Sequence, residues 1–125
     1  MNAYQFSFEK LEVWQLARKL LISVYRLTEH FPPEEKYSMV SQMRRASLSV
    51  CSNLAEGSSR QTARDQSRFT TIAFSSMLEL LNQLILSTDL GYLTTVELTQ
   101  FRKDISVLTV KLINLKKSQE ARLKS

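Results

Sequence analysis

The chain has 125 residues, 43% apolar and 23% charged, the make-up of one core-forming domain rather than a disordered segment. With two Gly and two Pro it lacks the turn residues of a β-sandwich or barrel and the glycine-rich loops that cradle phosphates. Its net charge of +5 lies wholly in residues 102–125, where seven Lys/Arg meet two acids, while residues 1–101 are balanced.

Taken in chain order, the spacing predicts four helices. Leu11, Trp14, Ala17, Leu21 and Val24 form an apolar stripe at steps of three and four, so a helix over about 8–30 is expected. Pro32-Pro33 ends it, since proline lacks an N–H and disfavours helix in the residue before it. Glu34 and Glu35 then suit the first turn of a second helix, where the helix dipole favours acids. That helix is expected to reach Glu56, with Gly57 as its stop. Thr62 and Asp65 have the spacing of an N-terminal cap and open a third helix to about Leu90. Gly91-Tyr92-Leu93 turns the chain, and the capping-box spelling Thr94-x-x-Glu97 opens a fourth helix that fades near Lys117. Connections this short make neighbouring helices antiparallel. The expected fold is all-α, an antiparallel up-down-up-down four-helix bundle over residues 1–117, with 118–125 as a basic C-terminal tail.

Two helices carry more apolar surface than a four-helix monomer buries. In the fourth, Leu98, Phe101, Ile105, Leu108, Leu112 and Leu115 form a bundle seam, and Val107, Val110 and Ile113 lie well off it. The third is apolar on almost every side between Phe69 and Leu86. The surplus predicts a homo-oligomer with Val107, Val110 and Ile113 at its interface. In the second helix Gln42, Arg45, Ser49, Ser52 and Glu56 share one face, opposite Met43, Val50 and Leu54. Serine is a poor helix former, so its place in that stripe suggests either a close neighbouring backbone or an ordinary polar surface. A neighbouring helix would also offer partners to Arg45 and Glu56.

The single Cys51 excludes an intrachain disulfide, and with the single His30 leaves no expected metal site or cofactor. Cys51 reads as a buried, inert thiol and His30 as a cation suited to a helix C-terminus. No secretory signal is visible, and the weakly charged stretch 69–88 reads as too polar for a membrane span, so a cytoplasmic protein without a membrane partner is expected.

The run Gln42-Met43-Arg44-Arg45-Ala46-Ser47-Leu48-Ser49-Val50-Cys51-Ser52-Asn53-Leu54-Ala55-Glu56-Gly57 resembles the signature of the 23S rRNA intervening-sequence family. Trp14, Tyr25, Phe31-Pro32, Glu35-x-Tyr37 and Arg60 agree with it, as do Ile72-Ala73-Phe74-Ser75-Ser76, Glu79-Leu80 and Leu90-Gly91-Tyr92-Leu93. The resemblance spans about residues 11–93, with Ser38 and Ser75 in place of two family glycines. It implies a four-helix bundle and a homopentameric barrel. It also implies a likeness to the accessory protein of diversity-generating retroelements, which binds nucleic acid and a reverse transcriptase. No catalytic residues come with it.

A non-enzymatic, oligomeric nucleic-acid-binding protein is therefore expected, with RNA or DNA as ligand and structured RNA favoured. The candidate contacts are Arg44, Arg45, Arg60, Arg64 and Arg68 in the body and Lys111, Lys116, Lys117, Arg122 and Lys124 towards the end. Guanidinium forks and ammonium groups suit phosphate oxygens, and no motif for base-specific reading is present. The alternative is a protein-interaction scaffold whose basic surface meets an acidic protein.

Overall fold

The computed structural model describes residues 3–123. A 3-10 turn at Ser7–Lys10 leads into α1 (Glu12–Thr28), and a second at Pro33–Glu35 precedes α2 (Met39–Ser58). Helices α3 (Ala63–Asp89) and α4 (Thr95–Leu123) complete the fold, with no strand among the described residues. The predicted caps form. Thr62 accepts a bond from the Asp65 N–H at 3.1 Å. Thr94 and Glu97 exchange bonds, Thr94 N–H to Glu97 Oε1 at 2.9 Å and Glu97 N–H to Thr94 Oγ1 at 3.1 Å.

Each helix supplies one buried stripe to a shared core. Val13, Ala17, Leu20, Val24 and Leu27 come from α1, and Met43, Ala46, Val50 and Leu54 from α2. Ala73, Met77, Leu80 and Leu84 come from α3, and Phe101, Ile105, Leu108 and Leu112 from α4. The α1 stripe is centred differently from the predicted one, for Leu11, Trp14 and Leu21 are only partly buried. Contacts between neighbours run in opposite numerical order. Met43 meets Ser87, Ser49 meets Ser76, and Gly57 meets Phe69 between α2 and α3. Met77 meets Thr109 and Thr70 meets Gln119 between α3 and α4.

Four expectations are corrected. First, α1 begins at Glu12 and not near Phe8, because the preceding residues turn tightly and place Phe8 edge-to-face on Trp14 at 5.0 Å. Likewise α2 begins at Met39, after the 3-10 turn that holds Glu34 and Glu35. Second, Gly57 does not stop α2. It lies within the helix, and a Cβ there would sit 2.7 Å from Phe69 Cβ, so glycine serves a close approach of α2 and α3. The positive φ belongs to Gly91, at 83° in the α3–α4 turn.

Third, α4 does not fade near Lys117. Helix α4 continues to Leu123 because Gln119 extends the seam four residues beyond Leu115 and is buried against Thr70. Fourth, α3 is by length and composition apolar enough to cross a membrane. Its polar residues do not exclude that; in the fold, Ala73, Met77, Leu80 and Leu84 are instead buried in the shared core.

Candidate nucleic-acid interface

The α2–α3 connection, residues 59–62, lies beside the last turns of α4. Ser58 and Ser59 close the end of α2 by donating to the Ala55 and Glu56 carbonyls, each at 2.8 Å. Gln66 donates to the Arg60 carbonyl at 2.9 Å and accepts from Arg122, tying loop, α3 and α4 together. The guanidinium carbons of Arg60 and Arg68 sit 4.6 and 5.3 Å from the ring centre of buried Phe69. Cation–π attraction thus holds two arginines over one ring. Lys116 donates to Thr71 Oγ1 and lies 3.4 Å from Glu120. Arg64 and Lys117 are exposed on the same stretches of α3 and α4.

The sequence candidates divide accordingly. Arg60, Arg68, Lys116 and Arg122 converge at this end, with Arg64 and Lys117 beside them. Arg44 is not available there. Its guanidinium packs 4.4 Å from the Tyr25 ring centre, and its Nε donates to Thr28 Oγ1 at 2.9 Å, pinning α2 to α1. Exposed Arg45 is its neighbour, 12 residues before Gly57 and so about 18 Å away along the axis. Lys111 lies 3.1 Å from Glu12 of α1, further along α4 from this end. Lys124 lies outside the described residues.

The oligomer candidates are on the surface. Val107, Val110 and Ile113 are 50%, 57% and 40% exposed, too much for residues that serve the monomer's core. Ile113 shares a cleft of about 230 Å³ between α3 and α4 with Phe74, Leu112, Thr70, Thr71 and Lys116. On the α2 stripe the close neighbour is α3 of the same chain, since Ser49 Oγ and Ser76 Oγ are 2.7 Å apart. Gln42, Arg45, Ser52 and Glu56 remain exposed, and Arg45 and Glu56 have no ion pair among the described residues.

Cys51 is buried in the core, and burial pushes its thiol up to about 11, so it is protonated and unreactive at neutral pH. Among the described residues no three His, Cys, Asp or Glu side chains gather as a metal site would require.

Residues 9–114 match the family model for the 23S rRNA-intervening sequence protein. The chain belongs to that family. Its fold is similar to that of a protein of unknown function from the S23 ribosomal protein family of Bacteroides thetaiotaomicron. The two share 22% identity and a TM-score of 0.77 over 84% of this chain and 98% of the other. No curated protein matches the chain. The family match ends before Lys116, Lys117 and Arg122, so α4's contribution to the basic end lies beyond the shared domain.

The structure also brings in residues that sequence reasoning missed. Phe69 carries two arginines, and Gln66 and Gln119 bind α4 to this end. The one signal for Gln119 is its place at a seam position, where a polar residue must find a buried partner.

Proposed function

We propose that this family member is an antiparallel up-down-up-down bundle that assembles into a ring-like homo-oligomer, a pentamer, in the cytoplasm. It binds structured RNA without catalysis, through the basic end formed by the α2–α3 loop and the end of α4. The observation that carries the reading is that Arg60 and Arg68, over Phe69, and Lys116 and Arg122, bonded to Thr71 and Gln66, lie along the first turns of α3 although they come from two distant stretches of chain. Such a cluster attracts polyanions, and repetition around a ring multiplies it by effective concentration. The opposite numerical order of the helix contacts supports the up-down arrangement. Exposed Val107, Val110 and Ile113 support a second copy on α4. The likeness to the retroelement accessory protein adds a reverse transcriptase as a candidate protein partner.

The test measures RNA affinity against salt. Replacing Arg60, Arg64, Lys116 and Lys117 together with Gln should lower affinity for every sequence and flatten the salt slope by about 0.7 for each phosphate no longer neutralised. Arg45→Gln, distant from this end, should change it little. Absence of RNA binding at low salt, with capture of an acidic protein instead, would transfer the surface to the scaffold reading. In sedimentation, Val110→Glu should reduce a wild-type oligomer towards monomer; a wild type already monomeric at micromolar concentration refutes the ring.

A further inference from the structure

Beneath the basic end lies a second cleft of about 230 Å³, bounded by the Ser7–Lys10 turn, the end of α2, the start of α3 and the end of α4. Its apolar walls are Leu11, Leu54 and Leu115, and Gly57 contributes a wall without a side chain. Its polar lining includes Asn53 and Gln119, with Gln66 and Arg122 beside them. Asn53 turns its Nδ2 to the Ser49 carbonyl at 2.8 Å, an atom that can only accept, and this fixes the amide's orientation. Asn53 Oδ1 is then left without a partner among the described residues. Gln119 is only 6% exposed, and its Oε1 accepts from Thr70 at 2.8 Å. Its Nε2 has no hydrogen bond among the described residues. An acceptor and a donor thus remain unpaired on residues lining one small, leucine-walled space.

That combination selects a ligand. A free phosphate gains nothing from leucine walls and is repelled by the Asn53 oxygen. A purely apolar group would displace the water that these two amide atoms can reach in the cleft and leave both unmatched. A heteroaromatic ring satisfies both demands, with its faces on the leucines and its donor and acceptor edge on the amides. The volume is below the roughly 300–1,000 Å³ of pockets for drug-sized ligands and suits one ring system. We infer that this cleft receives one unstacked base of a bound RNA strand, while Arg60 and Arg122 at its margin meet the adjoining phosphates. Proteins that read RNA loops and ends commonly splay a base out and hydrogen-bond its edge in this way.

The inference rests on the RNA-binding reading, and its test separates the two. Wild-type protein is titrated with a fluorescent RNA decamer containing all four bases and with a ribose-phosphate decamer of equal charge without bases. The base-bearing strand should bind about tenfold tighter. Asn53→Leu should abolish that preference and leave the affinity for the base-free strand unchanged. Ser7→Trp, on an exposed turn at the cleft's edge, should do the same without touching the core. Equal binding of both strands by wild type overturns the base pocket and leaves the basic end intact. A preference that survives both variants places the bases elsewhere and likewise overturns it. Binding of neither strand at low salt defeats the pocket together with the RNA reading.

Discussion

The two ends of the molecule are closed by different chemistry. At the end formed by the α1–α2 connection and the α3–α4 turn, the Phe31 and Tyr92 rings meet at 5.1 Å, with Leu27, Val40 and Leu93 buried nearby. At the other, Thr70, Gln119, Gln66 and Arg122 hold the helices together by hydrogen bonds around an open cleft. Apolar packing of the first kind contributes most of a fold's stability. Buried polar pairs of the second kind contribute little net, because water offered the same groups equal partners. Sites where a sequence departs from the best packing are where function is expected. Stability therefore belongs to the aromatic end, and the proposed recognition surface lies at the polar one.

The contrast breaks most visibly at Phe31. Phe31→Ala should lower unfolding free energy by about 3–5 kcal/mol in urea titrations while leaving RNA affinity of the folded protein unchanged. Gly57→Ala comes next. Its Cβ would collide with Phe69, so α2 and α3 must separate, at a cost of about 1–3 kcal/mol. The same change should disturb the arginines over Phe69 and weaken RNA binding. Thr70→Val should cost about 1 kcal/mol by leaving Gln119 Oε1 unpaired, while combining it with Gln119→Leu should restore near wild-type stability. A double-mutant cycle from thermal melts measures that coupling; additive losses would mean that the Thr70–Gln119 bond does not couple the two side chains.

One pH-dependent effect belongs to neither end. Cys51 has its thiol raised from 9.0 to about 11 by burial, so folding favours the protonated form. Its contribution is complete below pH 9 and is lost as pH rises through about 11. The difference in melting midpoint between wild type and Cys51→Ala should therefore narrow or reverse over that range, and a pH-independent difference would contradict the burial.

Most of the helical pattern is legible in the sequence because its signals are local. Thr62, Thr94 and Glu97 act within one turn of the helices they open, and the seam from Phe101 to Leu112 repeats at helical spacing. The end of α2 is not legible, because Gly57 suits both a helix stop and a close helix crossing, and only Phe69 on α3 decides between them. The end of α4 is hidden too, because its charged residues mask one buried contact, from Gln119 to Thr70. The candidate site is legible in residue type but not in grouping. Arg44 and Arg60 look alike in the sequence. One is held against Tyr25 and Thr28, while the other joins Arg122, 56 residues beyond Gln66, through Gln66.

Gly91 sets a different kind of constraint. Its φ is 83°, yet nothing stands within 4 Å of where a Cβ would be. What this turn demands is handedness, not small size. An L-residue of any bulk is strained there, whereas a D-alanine introduced by chemical ligation would meet neither strain nor collision. It would also restrict the unfolded chain, so the mirror-image residue should fold more stably than the natural glycine.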